Sequence, residues 1–555
     1  MKKYLFIALA AIGFAACVEK IDDNAPHNGE VEESFIAINL MSADLDTRAA
    51  TDEYGYDNGT DAERAIKSAY FFFFKENGDA FNVTTSAPGG EKNHLQLTIE
   101  ETTGADVVTL NASDIKKAVL VLNTYKGVYP SQIVAVLNWT PTEKTYSLTE
   151  LHEELATLGN DEYGYVMTNS VYMDGAGEIV DAVPVTPSNI KTSAEDALAA
   201  PIDIYVERIA AKVVLTATGK VEGSTDNIFD TQKNSTPIVL SGPSSDIDVY
   251  VKLHGWELYN DYNNSTLLKN INPSWDVTAL GLTWNDIPYY RCYWAQSQSE
   301  DPEDSFSWKY EDNNFPTAYG FNVDGYTYCG ENTNDEDLRT KVILKGQLMQ
   351  KNENDTYSPL ELARWYGTEY AGRVALKTAV ANSLKFTLFY SADGESFHGI
   401  TPDDLECVAG TANAEAYEVV FQLSTTGKDK TWYQYSSANG YVVFGDNGIY
   451  GDNLAKTNAH LSTVEPALLY AEGQTYYYVD IEHLGTAGAK YGVVRNHVYQ
   501  IDVKSIMGYG SPVYIGTSNI VTPPEYPIED ESSYVAARIN VLSWKIVKQE
   551  VNVGQ

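Results

Sequence analysis

The sequence predicts an all-β protein of two β-sandwich domains with few short helices. Forty of the 555 residues are tyrosines, and many stand beside Val, Ile or Thr. Aromatic and β-branched side chains of this kind favour strands. Strand-like runs recur along the chain, separated by turns that contain Gly, Asn or Asp. A hydrophobic fraction of 43% allows packed cores and excludes general disorder.

The first predicted sandwich covers residues 49–210. Its helix signal is a capping box, in which Ser147 caps a helix over 147–156 and Glu150 bonds back to the cap. Asn77-Gly78 marks a hairpin turn between the runs 68–74 and 80–84. The other strand signals are the runs 95–99, 117–122, 132–139, 165–169 and 202–206.

The second predicted sandwich covers residues 211–527 and follows the first almost without a linker. The run 209–216 continues directly after Arg208, which indicates a stiff interface between the two domains. Polar, Asn-rich stretches at 259–340 and about 390–470 are predicted to be long functional or mobile loops. The remaining strand signals lie at 248–253, 341–348, 475–480 and 496–503.

Residues 1–17 have the pattern of a lipoprotein signal peptide. Lys2 and Lys3 precede an apolar run over 4–16, and small residues stand before Cys17. The run is shorter than the roughly 20 residues that a membrane-spanning helix needs. We therefore expect lipidation of Cys17, the alternative being a signal peptide cut nearby that leaves Cys17 as an ordinary residue.

Residues 18–48 are predicted to be a propeptide that carries one removable strand. A strand-like run over 34–41 is followed by Arg48-Ala49, where a trypsin-like protease is expected to cut. A strand followed at once by a cleavable loop can be removed without dismantling the rest of a fold. This arrangement indicates a precursor that matures at the cell surface. The apolar residues predicted for the strand are Phe35, Ile36, Ile38 and Leu40.

The C-terminal segment, residues 528–555, follows a proline-rich tether at 523–527. Its apolar residues alternate on one face up to Val541 and then change parity, which predicts a bulge or bend near that residue. The pattern favours a strand without a partner in its own sheet, and a strand that folds back into its own sheet remains open. The residues predicted for a donor strand are Val535, Ala537, Ile539, Val541, Trp544 and Ile546.

Charge and motif content argue against an enzyme or a nucleic-acid-binding protein. The net charge is −39, and residues 1–48 hold only eight of the 77 acidic residues, so the acidity belongs to the body. Such a field repels nucleic acid and anionic lipid surfaces. No nucleophile elbow, phosphate loop or metal motif is present, and no cofactor is expected. Beyond Cys17, the cysteines Cys292, Cys329 and Cys407 allow one disulfide, with Cys292–Cys329 favoured, or are packed thiols.

Several segments, taken in their order along the chain, resemble the fimbrillins. These are the type V pilins of Bacteroidota, and the similarity is greatest to the family of the minor-fimbrium major subunit. The matching segments are the signal with Cys17, the Arg48-Ala49 site, Ile204–Lys212, Val493–Asp502, Gly510–Pro512 and Arg538–Trp544.

The resemblance implies two transthyretin-like Greek-key sandwiches and export to the outer membrane as a lipoprotein. It further implies loss of the N-terminal strand and polymerisation by donor-strand exchange with other copies or related pilins, including anchor and tip pilins. Two alternatives remain. One is an accessory or tip subunit with adhesive loops, and the other is a monomeric glycan-binding lipoprotein. The candidate stacking residues for a glycan are Trp275, Trp284, Trp294 and Trp308.

Overall fold

The computed structural model describes a large part of the chain, from Val31 to Val547. Its described residues are 31–42, 59–84, 91–97, 118–143, 145–174, 179–232, 236–240, 244–270, 289–291, 308–309, 325–332, 339–410, 418–445, 452–481, 492–512, 520–521, 534–543 and 546–547.

The fold is all-β with few short helices, as the sequence predicted. The longest helix described, α4, has 13 residues. The helices are α1 (Asp61–Arg64), α2 (Leu148–Glu153), α3 (Ala194–Ala199), α4 (Gly372–Leu384), α5 (Thr425–Lys428) and α6 (Asn453–Leu461). The strands up to residue 208 are β1 (Val31–Ser42), β2 (Ala69–Phe74), β3 (His94–Leu97), β4 (Ala118–Tyr125), β5 (Gln132–Leu137), β6 (Leu155–Thr157), β7 (Gly159–Asn160), β8 (Gly164–Tyr165), β9 (Met167–Asn169), β10 (Tyr172–Asp174), β11 (Ile179–Val180), β12 (Val183–Pro184) and β13 (Ile202–Arg208).

One sheet organises the N-terminal region, with strand order β3-β2-β5-β9-β13-β1-β4 and with β12 paired to β5. Strand β2 is buried on both faces, which explains its unbroken aromatic run. Phe71 and Phe73 enter one core with Ile133, while Phe72 and Phe74 enter a second core on the opposite face. A strand covered on both sides has apolar residues at successive positions rather than alternate ones.

Two local predictions in this region are confirmed. Ser147 caps α2: its hydroxyl oxygen accepts from the Glu150 N–H, and the Glu150 carboxylate accepts from the Ser147 N–H. The helix ends at Glu153, three residues earlier than predicted, because the chain continues into β6. The turn at Asn77-Gly78 also forms, with Gly78 at φ +84°, a conformation that glycine adopts readily.

The strands that follow residue 208 form several sheets. Their bounds are β14 (Ala211–Thr216), β15 (Ile228–Asp230), β16 (Thr236–Val239), β17 (Ser244–Ile247), β18 (Val249–Tyr259), β19 (Asn264–Thr266), β20 (Tyr289–Arg291), β21 (Trp308–Lys309), β22 (Tyr326–Cys329), β23 (Lys341–Lys351), β24 (Tyr357–Pro359), β25 (Leu362–Trp365), β26 (Thr368–Tyr370), β27 (Leu388–Tyr390), β28 (His398–Gly399), β29 (Leu405–Ala409), β30 (Glu418–Leu423), β31 (Trp432–Ser436), β32 (Gly440–Val443), β33 (Ala467–Tyr470), β34 (Gln474–Asp480), β35 (His497–Met507), β36 (Ser511–Pro512), β37 (Ile520–Val521), β38 (Tyr534–Ser543) and β39 (Ile546–Val547).

Two of these sheets enclose the main C-terminal core. One has the order β22-β14-β35-β38-β39 and the other the order β15-β18-β23-β34-β36, with β24 paired to β23. Trp256 and Tyr499 are fully buried in this core. Cys329 lies in the same core as a free thiol, so the favoured Cys292–Cys329 disulfide is not formed. Burial raises the pKa of the Cys329 thiol.

The prediction of a long polar loop at about 390–470 is wrong. This stretch contributes strands to two sheets, β17-β16-β26-β25-β33-β30-β29 and β28-β27-β31-β32, which pack with α4 and α6. The apolar residues of this stretch are few and widely spaced in sequence, but in the fold they meet in a separate core that contains Phe421, Trp432 and Leu461. Of the other predicted loop, 259–340, the described parts include β19, β20 and β22.

Candidate functional site

The N-terminal strand β1 lies inside the N-terminal sheet, between β4 and β13. Residues Val31–Ile38 pair antiparallel with β4, and residues Ile38–Ser42 pair parallel with β13. The first half of β1 is bonded on this second edge too, by the segment that precedes β13: Phe35 and Lys191 exchange main-chain hydrogen bonds of 2.8 and 2.9 Å. Both edges of β1 are therefore hydrogen-bonded, and β1 joins β4 to the rest of the sheet.

Both faces of β1 are covered as well. Ile36 and Ile38 are 0% exposed and belong to the core beneath the sheet. On the opposite face, Phe35 and Ala37 pack with Val119 and with Ala197 of α3. Ala37 is only 1% exposed. The strand that the sequence predicted to be removable, β1, thus occupies a groove bounded by β4, β13 and α3. We call this groove the β1 groove.

A polar contact fixes the start of β1. One oxygen of the Glu32 carboxylate accepts a hydrogen bond of 3.2 Å from the Gly127 N–H and one of 3.0 Å from the Tyr129 hydroxyl. Burial, together with this bond to a carboxylate, raises the pKa of Tyr129 to about 12. The groove therefore ends in a hydrogen-bonding site that accepts a carboxylate.

The structure describes some of the residues predicted to take part in maturation and not others. Of the residues predicted for the removable strand, Phe35, Ile36 and Ile38 are buried in the groove, and Leu40 pairs through its backbone with Ile204. Strand β1 ends at Ser42, six residues before Arg48. Cys17, Arg48 and Ala49 lie outside the described residues.

The C-terminal strand β38 has a partner within its own chain, contrary to the favoured prediction. It pairs antiparallel with β35 along its whole length, from Tyr534 opposite Met507 to Ser543 opposite His497. Strand β35 is also paired in parallel with β14. The structure thus shows the alternative reading, in which the last strand folds back into its own sheet. An edge of β35 without β38 would leave a row of unpaired backbone groups.

The predicted bulge or bend near Val541 takes the form of a bend rather than a bulge. The register between β35 and β38 shifts at Val503 and Ser505, opposite Ala537 and Ala536. The change of parity beyond Val541 has another cause: the chain turns back, and β39 pairs antiparallel with β38, with Ile546 opposite Leu542. Trp544 lies outside the described residues.

A buried network of charges joins the N-terminal region to the C-terminal region, where the sequence indicated only a stiff interface after a short linker. The Glu63 carboxylate accepts from the Lys212 ammonium at 2.8 Å and from the Tyr328 hydroxyl. Although burial opposes ionisation, these bonds hold the pKa of Glu63 below its ordinary value. Arg208 donates to the Glu63 backbone carbonyl at 2.8 Å.

A second buried ion pair lies at the same junction. The Arg495 guanidinium, 0% exposed, bonds to Glu331 at 3.2 Å and to the backbone carbonyls of Thr266 and Leu267 at 2.9 and 3.0 Å. Between β13 and β14 the chain passes through Ile209 and Ala210, both fully buried. Charged groups buried with several partners fix orientation, which fits a rigid joint.

In the described ranges, no group of three or more His, Cys, Asp or Glu side chains is placed to hold a metal ion. Among the helices α1–α6, none has the length and apolar character needed to cross a membrane. The side chains of the four candidate stacking residues, Trp275, Trp284, Trp294 and Trp308, are not among those described.

Comparisons with known proteins point to one family. Residues 468–550 match the family described as "Major fimbrial subunit protein type IV, Fimbrillin, C-terminal". This segment contains β34, β35 and β38. No curated protein matches the chain.

Similar solved structures come from related organisms. A fimbrilin from Porphyromonas gingivalis is 13% identical, with 93% of this chain and 98% of that chain covered and a TM-score of 0.37. A candidate cell adhesion protein from Parabacteroides distasonis is 12% identical, covering 94% and 98%, with a TM-score of 0.35. The tip fimbrial protein Mfa3 from P. gingivalis, with a C-terminal truncation, is 10% identical, covering 92% and 100%, with a TM-score of 0.28.

The match over residues 468–550 confirms, for the C-terminal part of the chain, the resemblance to the fimbrillins that the sequence motifs indicated.

Proposed function

We propose that this protein is a structural subunit of a surface fimbria that supports adhesion. The precursor is exported, acylated at Cys17 and held at the outer membrane by its lipid. A trypsin-like protease cuts after Arg48, and β1 leaves with the propeptide. The C-terminal strand of another copy, or of a related anchor or tip pilin, then fills the β1 groove.

The position of β1 is the observation that carries this proposal. The strand belongs to a segment that ends shortly before the predicted cleavage site, yet it is bonded on both edges and buried on both faces. An N-terminal strand at a sheet edge could be lost at little cost. Loss of β1 instead opens a groove in the middle of a sheet.

An empty β1 groove is strongly unfavourable. Each fully buried side chain such as Ile36 or Ile38 contributes about 1.5–3 kcal/mol through its removal from water. The main-chain groups of β4 and β13 that β1 satisfies would also lose their partners. A second extended segment restores both contributions, as strand addition does at other sheet edges. Cleavage therefore creates the driving force for assembly.

The C-terminal strand is a suitable donor because its removal leaves β35 paired with β14. The family match includes it. While it is paired with β35, the tail is held in its own subunit, and the precursor holds β1 in its own groove. Before cleavage, therefore, neither the donor strand nor the β1 groove is available for strand exchange.

The proposal is tested with the purified precursor, residues 18–555, treated with trypsin in limiting amount. We expect a new N-terminus at Ala49 and fibres visible by electron microscopy. The matched variant Arg48→Ala should keep β1 and stay monomeric under the same treatment. Fibres whose subunits begin before Val31 would refute the proposed maturation.

A further inference from the structure

The segment before and within β38 repeats the sequence of β1. Residues 531–539 read Glu-Ser-Ser-Tyr-Val-Ala-Ala-Arg-Ile, and residues 32–40 read Glu-Glu-Ser-Phe-Ile-Ala-Ile-Asn-Leu. Glu, Ser and Ala are identical at three positions, and an aromatic, a β-branched and a further aliphatic residue coincide at three more.

We propose that the C-terminal strand enters the β1 groove of the next copy in the register of this repeat, so that Tyr534 takes the site of Phe35. This inference rests on the proposed function, since it specifies how the donor strand is seated. In this register Glu531, Ser533, Tyr534, Val535, Ala536, Ala537 and Ile539 replace Glu32, Ser34, Phe35, Ile36, Ala37, Ile38 and Leu40, respectively. The fully buried site of Ile38 therefore receives a smaller side chain than in the precursor.

The carboxylate site at the end of the groove selects this register. Glu32 accepts hydrogen bonds from Gly127 and Tyr129, and both donors lose their partner when β1 leaves. Glu531 in the incoming strand brings a carboxylate of the same length to the same place. A hydrogen bond to an ionised carboxylate is stronger than one between neutral groups.

The face of the groove that packs against α3 selects the same register. Ala37 is 1% exposed and lies against Val119 and Ala197, so its site admits only a small side chain. Ala536 meets that requirement. The neighbouring site of Phe35 is 8% exposed and apolar, and the ring of Tyr534 suits it.

Arginine 538 excludes the nearest competing register. A shift of two residues would align Ile539-Asn540 with Ile38-Asn39, a second short similarity, and would put Arg538 at the buried site of Ala37. Burying a charge without a partner is costly. In the proposed register Arg538 takes the position of Asn39, directly opposite Asp203 on β13. Asp203 is exposed, so a guanidinium there faces an acidic partner at the surface.

Cysteine cross-linking tests the register. Asn123 on β4 lies opposite Glu33, a site that Ser532 occupies in the proposed register and Tyr534 in the competing one. Residues directly opposite each other in antiparallel strands have Cα atoms within the range that a disulfide spans. The full precursor is prepared with Asn123→Cys combined with Asp530→Cys, Ser532→Cys or Tyr534→Cys, in a background with Cys292→Ser and Cys407→Ser. The single variants serve as controls.

After cleavage and oxidation, we expect Asn123→Cys with Ser532→Cys to give a ladder of linked subunits on a non-reducing gel. Its yield per mass of fibre should exceed that of the other two pairs at least tenfold. Fibres that cross-link through residue 530 or 534 instead, or through none of the three, would overturn the register while leaving strand exchange standing. If the background protein forms no fibres by electron microscopy, the proposed function fails, and the register fails with it.

Discussion

The two ends of this molecule each supply a strand to a sheet, but the strands are held in different ways. Strand β1 is bonded on both edges and buried on both faces, so the groove it fills lies within the sheet. Strand β38 lies beside β35, a strand that keeps its second neighbour β14 when β38 leaves. Removal of β1 therefore leaves a gap within a sheet, whereas β38 can leave its sheet and pair with another molecule without opening such a gap.

The same difference indicates that β1 and β38 are released by different events. In the proposed function, removal of β1 requires a cut in the chain, because β1 is covalently continuous with the body. Release of β38 requires only the loss of its pairing with β35. We therefore expect cleavage to control when assembly begins, and the C-terminal strand to determine whether it can proceed.

The largest effect should follow deletion of residues 534–555. The truncated precursor should be cleaved normally and form no fibres, because it has a groove and no donor. Its body should remain folded, with a Tm lowered by less than about 5 °C, since β35 stays paired with β14. Thermal unfolding beside the intact precursor measures this. Loss of the cooperative transition would mean that β38 is an integral part of its own sheet.

Exchange of the two end strands requires a body that stays rigid, and Lys212→Met probes that rigidity. The substitution leaves the buried Glu63 carboxylate without its cation, which should lower the free energy of unfolding by about 3–5 kcal/mol. Urea unfolding measures the change. The control variant Lys252→Met removes an ion pair exposed at the surface. It should change the free energy of unfolding by less than about 1 kcal/mol.

The same pair predicts a dependence on pH. The folded-state pKa of Glu63 is below its ordinary value of 4.5, so its contribution to stability is fully present above pH 4.5. It is lost as the pH falls through the lower folded-state value. The parent should therefore lose stability below pH 4.5 more steeply than Lys212→Met. Parallel unfolding curves for the two proteins in that range would contradict the assigned role.

A matched pair of truncations separates the two strands directly. Ile38→Ala should lower the unfolding free energy of the precursor by about 2–5 kcal/mol, because it empties a fully buried site. It should leave the dissociation of finished fibres unchanged, since Ile38 departs with the propeptide. Ile539→Ala should instead accelerate fibre dissociation in denaturant. An effect of Ile38→Ala on the fibre would show that β1 remains in it.

The smallest effect is expected for Arg538→Ala. In the proposed register this residue faces Asp203 at the surface, and exposed ion pairs contribute about 0–1 kcal/mol. Fibre yield should change little, while its sensitivity to salt should decrease. Ile539→Asp is the contrasting variant, because it puts a charge at an apolar site and should nearly abolish assembly. Equal losses from both variants would contradict the assignment of faces.

The sequence predicted the fold class and much of the groove because both depend on local signals. The cap at Ser147, the buried run of β1 and the C-terminal strand are each visible in a few consecutive residues. The pairing of β38 with β35 was not favoured in advance, because partner choice depends on contacts between distant segments. The core around Phe421 and Trp432 was missed for a related reason: its apolar residues are spread among many polar ones.

The charged joint between the two regions was also missed. Glu63, Lys212 and Tyr328 are far apart in sequence, and each alone has the appearance of a surface residue. A signal for the seating of the donor strand was present in the sequence, in the repeat of residues 32–40 at 531–539. Its meaning depends on the structure, which shows that Ala37 is enclosed and that Glu32 is bound.

Cryo-electron microscopy of the assembled fibre tests the central claim most directly, through the density in the groove between β4 and β13. We predict a strand there that is continuous with the C-terminal region of the neighbouring subunit, and a mature chain that begins at Ala49. Density for Val31–Ser42 of the same subunit in that groove would contradict the account.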